Sequence, residues 1–257
     1  RRFVLPLADL SLRRAELEGE LAAWENLEER LERLESERQR TTEDLVRLAR
    51  SLSESRREAA TRLGEAITTE LASLGMGQAR VEVDLSRLDA RAPGGVEVDG
   101  VRFTAQGMDR VELLIAPNRG EPPRPLVRIA SGGELSRALL AIKHVLARHG
   151  PPGLHVFDEV DTGVGGAIAE VIGRKLAEVA RDHQVLCITH LAQIAAHADR
   201  HLRIEKRSDA SRTRSEVRHL ADDERIDELA RMMGGVVITD ATRAAAPDPP
   251  QQARRPA

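Results

Sequence analysis

Three short segments of the chain carry side chains that could act together on a phosphate. Ser131-Gly132-Gly133-Glu134 opens a predicted helix, Asp158-Glu159 follows one apolar run, and His190 follows another. Exposed N–H groups at a helix start favour anions. Of the two adjacent acids, Asp158 could hold Mg²⁺ through its water shell while Glu159 orients and deprotonates an attacking water. His190 could polarise a phosphate or position that water.

Each of these segments also has a purely structural explanation. Ser131 and Glu134 have the spacing of a helix capping box. That box does not explain the two glycines between them, each of which costs a helix about 1 kcal/mol relative to alanine. Bare backbone that lets a ligand approach would explain them. Acids and a histidine after strands are common in structural roles, and the glycine-rich turn 161–166 could be a simple connector.

The sequence predicts alternating strands and helices as the elements that position these residues. A helix is predicted over 132–147, with apolar positions at 135, 139, 142 and 146, and further helices over 167–181 and 192–198. Apolar runs at 154–157 and 185–189 predict buried strands. This alternation favours an α/β fold with a parallel sheet covered by helices, in which ligands bind at the carboxyl ends of the strands.

A long helix precedes this α/β part. Residues 9–74 contain no proline and two glycines, and a heptad seam passes through Leu31, Leu34, Arg38, Thr41, Leu45, Leu48 and Leu52. About 65 residues at 1.5 Å each make an arm of about 100 Å. The apolar seam must pack against a partner. Three interpretations of the helix remain open: one strand of an antiparallel arm, a helix-bundle element, or a homodimeric coiled coil. We favour the antiparallel arm, with its other strand in a segment outside these residues.

Shorter strands and turns fill the remaining sequence. Alternating runs at 81–85, 96–98 and 101–103 predict strands, with Asp99-Gly100 as a hairpin turn. A further strand is predicted at 111–115, a loop at 118–125, a hairpin from 202–207 and 216–220, and a helix over 222–233 closed by Gly234-Gly235. We therefore predict a coiled-coil arm (1–76), a head lobe (77–243) and a disordered tail (244–257).

Composition limits the remaining function classes. The net charge of −3 does not indicate a nucleic-acid binder from bulk electrostatics, and no apolar run is long enough for a membrane span. The single cysteine, Cys187, lies in an apolar run, which is typical of an inert thiol in a reducing, cytoplasmic interior. His197 and His201 lack cysteine or acid partners at zinc-site spacing.

The order of the motifs resembles that of the ATP-binding cassette (ABC) ATPases. Ser131-Gly132-Gly133-Glu134 resembles their signature motif, Asp158-Glu159 their Walker B motif, Asp161 their D-loop and His190 their switch histidine. The long arm is similar to that of the structural-maintenance-of-chromosomes (SMC) branch. The sequence is most similar to the bacterial RecN family of DNA-repair proteins over roughly residues 60–240. The similarity is clearest in the segments 129–137, 158–163 and 189–195.

This resemblance implies an ATP-hydrolysing head that uses Mg²⁺, dimerises around ATP and acts with double-stranded DNA in double-strand-break repair, at the nucleoid in the cytoplasm. Ser131 and the backbone of Gly132 and Gly133 would contact the γ-phosphate held by a second head, with Asp161 near the same nucleotide. Such heads are expected to be homodimers. A coiled-coil scaffold without catalysis is the alternative, although Asp158, Glu159 and His190 argue against it.

The sequence departs from the family pattern in one respect. Its 257 residues contain no G-x-x-x-x-G-K-[ST] phosphate-binding loop (Walker A) and no Q-loop. The resemblance implies that an N-terminal half of the same protein carries both. We therefore expect the chain alone neither to bind ATP tightly nor to hydrolyse it. Candidate DNA contacts are the basic residues around the last hairpin: Arg200, Arg203, Lys206, Arg207, Arg212, Arg214 and Arg218.

Overall fold

A computed structural model of the chain describes residues 7–129, 131–208 and 213–234. In chain order the elements are α1 (Leu7–Ser73), β1 (Arg80–Arg87), β2 (Val96–Val98), β3 (Val101–Phe103), β4 (Asp109–Ala116), β5 (Arg124–Pro125), α2 (Gly132–Leu146), β6 (Leu154–Phe157), α3 (Gly166–Val179), β7 (Gln184–Cys187), α4 (Ala192–Ala195), β8 (Leu202–Ser208), β9 (Thr213–His219) and α5 (Asp222–Gly234). The predicted α/β class with a long preceding helix is confirmed.

The run Leu74-Gly75-Met76-Gly77 predicts a glycine stop, and α1 ends there. Gly75 has φ +80°, a left-handed conformation that glycine adopts without steric cost. The N–H of Met76 donates to the carbonyl of Leu71 at 3.0 Å, and that of Gly75 donates to Ala72 at 3.4 Å. These two bonds form a Schellman motif, which satisfies carbonyls that the helix end would otherwise leave unpaired.

The residues up to Glu58 and Ser86–Arg110 form one compact unit. In this unit α1 packs against the β2–β3 hairpin through a small core of Ala49, Phe103 and Met108. Asp99 (φ 51°) and Gly100 (φ 76°) form the predicted two-residue turn. Asp109 accepts hydrogen bonds from Ser53 (2.8 Å) and Arg56 (3.1 Å), which fix the end of this unit with paired polar groups.

The first part of α1 leaves its apolar side chains in solvent. Exposed large apolar residues recur along it: Leu10, Leu12, Leu17, Leu21, Trp24, Leu27, Leu31, Leu34, Leu48 and Leu52. A row of this length on one helix is more apolar surface than a monomeric protein normally exposes. The interpretation of α1 as one strand of an antiparallel arm stays a prediction, as does the predicted division at residue 76.

The second compact unit comprises Ala59–Leu85 and the residues from Val111 onward. Its core joins the end of α1 (Ile67, Leu71) to α2 (Leu140) and α3 (Ile172), with Phe157 from β6. Strands β6 and β7 pair in parallel, with Phe157 opposite Cys187, so the predicted parallel sheet is present. In a second sheet the strand order is β1-β4-β5.

Among the residues that the structure describes, none covers one face of the β6–β7 sheet. Phe157, Val185 and Cys187 contact the core, whereas the alternate side chains point to solvent: Leu154 (60% exposed), Val156 (57%), Leu186 (44%) and, just after β7, Ile188 (50%). Parallel sheets normally have both faces covered. We call these four residues the bare face.

Several predicted boundaries need correction. The predicted loop 118–125 ends in β5, which pairs with β4, and β7 ends at Cys187 instead of Thr189. In α2 the buried side chains include Ala138, Leu140 and Ala141, whereas the predicted apolar positions Leu139 and Leu146 are 40% and 39% exposed. The predicted tail (244–257) and Gly235 lie outside the described residues.

Candidate functional site

The parallel pairing of β6 and β7 brings two predicted site segments to one edge of the sheet. Asp158 and Glu159 directly follow β6, and His190 follows β7 by three residues. The pairing continues past the strands, because the N–H of Ile188 donates to the carbonyl of Phe157 at 2.9 Å. Asp158, Glu159 and His190 therefore leave the sheet at its carboxyl edge, where α/β sheets bind ligands.

Ser131 caps α2 as predicted. Its side chain accepts a hydrogen bond from the N–H of Glu134 at 3.4 Å, and its backbone is extended. This arrangement satisfies one of the free N–H groups of the first turn. The start of α2 is thus fixed by its own sequence, beside the loop that follows β6.

The two glycines of α2 face that loop. A Cβ at Gly132 would clash with the carboxylate of Glu159, and one at Gly133 would lie 3.0 Å from the Thr162 side chain and 3.2 Å from the carbonyl of Glu159. The sequence predicts bare backbone here for an approaching ligand. At Gly133 the chain's own loop is a further reason, because it leaves little room for a side chain, whereas the atom met at Gly132 is the flexible end of Glu159.

Glu159 itself has an unusual backbone. Its φ of 57° lies in the left-handed region, where few residues other than glycine occur. Such conformations cost about 1–3 kcal/mol and collect at functional sites. The tight turn that follows, in which the N–H of Thr162 donates to the carbonyl of Glu159 at 3.1 Å, holds the Glu159 backbone in place.

Two side chains of α2 that the sequence analysis did not single out tie the helix to this loop. Ser136 Oγ donates to the carbonyl of Asp158 at 2.6 Å, and the Arg137 guanidinium donates to the carbonyl of Thr162 at 2.9 Å. Arg137 is 8% exposed, and burial lowers its pKa. The sequence signal that could have identified Arg137 is an arginine one turn after a glycine pair and directly before an apolar run.

Asp161 is buried beneath His190. One oxygen of its carboxylate accepts hydrogen bonds from Thr189 Oγ1 (2.6 Å) and from the N–H of His190 (3.0 Å), and lies 3.0 Å from His190 Nδ1. Asp161 is 5% exposed, whereas the His190 side chain is 75% exposed. The structure therefore brings these two predicted site residues into direct contact. It places Asp158 and Glu159 at the surface.

The thiol of Cys187 lies close to this acidic edge. Burial, together with a smaller contribution from the carboxylates of Asp161 and Asp158, raises its pKa to about 12. A thiol with so high a pKa is neutral at physiological pH and a poor nucleophile. This agrees with the prediction of an inert cysteine.

Some of the basic residues around the last hairpin form ion pairs with carboxylates. Arg203 pairs with Glu205 (2.7 Å) and with the buried Glu228 (3.1 Å), and Arg218 pairs with Glu224. Arg212 and the Arg207 side chain lie outside the described residues. Arg200, Lys206 and Arg214 are exposed, so these three candidate DNA contacts lie at the surface of the described part.

Neither a three-ligand metal site nor a membrane-spanning helix is found in the described ranges 7–129, 131–208 and 213–234. The acid pair at the sheet edge could therefore hold a cation only with further ligands, such as water or phosphate oxygens. This is the coordination that Mg²⁺ normally has in nucleotide-binding enzymes.

Several bacterial proteins are similar to this chain. It is 47% identical over 221 residues to the DNA repair protein RecN of Streptomyces coelicolor, covering 85% of this chain and 38% of that protein. It is 44% identical to RecN of Mycobacterium leprae (84% and 38% covered) and 38% identical to RecN of Bacillus subtilis (95% and 43% covered). The chain thus spans about two fifths of the length of these relatives.

A solved Smc head domain with an extended coiled coil, bound to the C-terminal domain of ScpA and derived from Pyrococcus furiosus, has a weaker likeness. It is 19% identical, with a TM-score of 0.44 over 88% of this chain and 53% of that one. No protein-family model matches the chain.

Proposed function

We infer the function from the family of the DNA repair protein RecN, to which the chain belongs; the chain spans about two fifths of the length of these relatives. We propose that it forms part of an ATP-hydrolysing head that acts in double-strand-break repair. The observation that carries the proposal is the shared sheet edge. Parallel pairing of β6 and β7 delivers Asp158, Glu159 and His190 to one place, beside the start of α2.

Within this edge the acids have different tasks. Glu159 is exposed and held in a fixed turn, which suits a base that orients and deprotonates the attacking water. One Asp158 carboxylate oxygen accepts the N–H of Glu159 at 2.9 Å, and the other oxygen is the one that would hold Mg²⁺ through its water shell. When bound, Mg²⁺ would neutralise charge on the phosphates. His190 would contact the phosphate or the water.

The start of α2 is proposed to serve a second head. Ser131, Gly132, Gly133 and Glu134 lie at a helix N-terminus, which favours anions. In the family pattern they contact the γ-phosphate of ATP bound to a partner head, so catalysis requires a dimer. In the arrangement seen here the Glu159 carboxylate lies against Gly132, and it would have to move for a phosphate to approach.

The phosphate-binding loop is proposed to lie in polypeptide outside these 257 residues. Neither this loop nor a Q-loop occurs in the sequence, and the bare face offers an apolar surface for the missing part to cover. Burying such surface stabilises the assembled head by about 25 cal/mol per Å². The chain alone is therefore proposed to be inactive.

Double-stranded DNA is the proposed macromolecular partner, at the nucleoid in the cytoplasm. The support is the family membership together with the three exposed basic residues Arg200, Lys206 and Arg214. Their contacts would be to phosphates, which position a protein on DNA without reading its sequence. With 2% aromatic residues the chain has little capacity to stack bases.

The proposed function is tested by reassembly. The chain is co-expressed with the remaining polypeptide of its full-length protein, and ATP turnover is measured with and without double-stranded DNA. We expect turnover only in the assembled protein. Glu159→Gln, which keeps the shape of the side chain but removes the base, should reduce turnover by at least about 100-fold and enrich ATP-bound dimers.

Asp223→Asn is the matched control, because Asp223 is an exposed acid in the first turn of α5. It should leave turnover unchanged. Turnover that survives Glu159→Gln would show that another residue is the base. An assembled protein that binds DNA without any ATP turnover would favour the scaffold alternative.

A further inference from the structure

Asp161 and His190 are in contact at two points, and this contact restricts where the histidine carries its proton. One Asp161 oxygen accepts hydrogen bonds from Thr189 Oγ1 and from the backbone N–H of His190, and the ring Nδ1 lies 3.0 Å from the same oxygen as a charge contact, not as an aligned hydrogen bond. A carboxylate oxygen cannot donate, so contact with Nδ1 is favourable only when that nitrogen carries the hydrogen. The neutral ring is then protonated on Nδ1 and bare on Nε2.

The surroundings of Asp161 hold its carboxylate against His190. Its carboxylate is buried, and a buried carboxylate needs hydrogen-bond donors to offset the loss of water. All the donors described around it come from Thr189 and His190. Thr189 Oγ1 in turn accepts the N–H of Leu191 at 3.0 Å, so it must donate its own hydrogen to Asp161. This chain of bonds fixes the carboxylate in place.

His190 contrasts with its partner in exposure. Its side chain is three-quarters exposed while its Nδ1 edge contacts the buried carboxylate. The opposite edge of the ring, with Nε2, therefore faces away from Asp161 toward solvent. With the hydrogen on Nδ1, the bare Nε2 can accept a hydrogen bond.

We propose that Asp161 is the positioning residue of His190, which sets the Nδ1–H tautomer and presents Nε2 to the reaction. Asp161 then acts through the histidine and does not itself contact nucleotide, which differs from the role that the family resemblance gives it. The tautomer stands on the geometry alone. Its consequence for catalysis rests on the proposed function.

The chain contains its own reference for this assignment. His183 has the opposite pattern, because its Nδ1 accepts the N–H of Gly153 at 3.2 Å and its Nε2 donates to the carbonyl of Ala147 at 2.9 Å. His183 is therefore expected to carry its hydrogen on Nε2. The two rings should give opposite nitrogen signatures in one spectrum.

The test is long-range ¹H–¹⁵N NMR of the imidazoles in the ¹⁵N-histidine-labelled chain at about pH 8, where an ordinary histidine is neutral. We expect Nδ1–H for His190 and Nε2–H for His183. In Asp161→Ala, His190 should shift toward the Nε2–H form that free histidine prefers, while His183 stays unchanged and reports an intact fold. An Nε2–H tautomer for His190 in the unaltered chain would overturn the proposal without any variant.

Turnover of the assembled protein tests the catalytic consequence. Asp161→Ala and His190→Ala should each reduce turnover by about 10- to 100-fold, as when the partner of a functional histidine is lost, and the double variant should lose no more than the worse single one. Independent, multiplying losses would overturn the positioning role. If the assembled protein has no turnover while the tautomers are as expected, the proposed function fails and the tautomer assignment stands.

Discussion

At the scale of single residues, the environment of each side chain decides whether it reacts. Cys187 and Glu159 lie at the same end of the β6–β7 sheet, yet the thiol contacts the core and the carboxylate is exposed. Burial raises the pKa of the cysteine to about 12. The Cys187 thiol is therefore unreactive, whereas the Glu159 carboxylate is accessible to a ligand.

Cys187 should resist alkylation in the folded chain. Its folded pKa lies above its unfolded value, so the neutral thiol contributes stability that is lost as pH rises from about 9 toward 12. At pH 8, iodoacetamide should modify the native chain far more slowly than the chain in denaturant, with mass spectrometry as the readout. Equal rates in the two states would show that the thiol is exposed.

The sequence could identify the site residues by type, but it could not assign all of their contacts. Motif order predicts Ser131, Asp158, Glu159 and His190 as candidates, since each lies where a predicted element begins or ends. The pairing of Asp161 with His190 joins residues 29 positions apart. Such a contact depends on the register of β6 against β7, which no local pattern specifies.

At the scale of the elements, local signals predicted most of the secondary structure. The Asp99-Gly100 turn, the stop at Gly75 and the cap at Ser131 all formed, because each depends on a few adjacent residues. The predicted apolar face of α2 was right at Ile142, which is buried, and wrong at Leu139 and Leu146, which remain exposed while alanines with little hydropathy signal are buried. Packing between elements decides that face.

Replacement of Gly75 by alanine should destabilise the second unit. Alanine in a left-handed conformation costs about 1–2 kcal/mol, and its Cβ would lie 2.8 Å from Ile168 Cδ1. Gly77→Ala is the matched control, because a Cβ there meets no atom within 4 Å. Thermal unfolding by circular dichroism should show a lower Tm for the first variant alone, and equal values would show that the helix stop tolerates a side chain.

At the scale of the whole molecule, the described ranges 7–129, 131–208 and 213–234 leave apolar surface uncovered. The bare face belongs to a parallel sheet, and the exposed row of α1 belongs to a heptad seam. The sequence predicted the seam from its period. It could not predict the bare face, since a buried strand and a half-covered strand are both apolar runs.

Val156→Lys should make the isolated chain more monomeric. A charge at the centre of the bare face opposes association through it, so light scattering after size-exclusion chromatography should show less self-association than the unaltered chain. The same change should weaken assembly with the remaining polypeptide. Val127→Lys is the control, because Val127 is 88% exposed and lies outside the bare face. Identical behaviour of the two variants would show that the face has no partner.

The contact between Gly132 and Glu159 has a consequence for inheritance. A Cβ at position 132 would meet the Glu159 carboxylate, which is the far end of a flexible side chain, so a mutation there would be relieved by a swing of Glu159 out of its present position. Under the proposed function that swing displaces the base, and repair would be impaired while the fold is kept. Selection would then keep a glycine codon at position 132 for as long as Glu159 is the base.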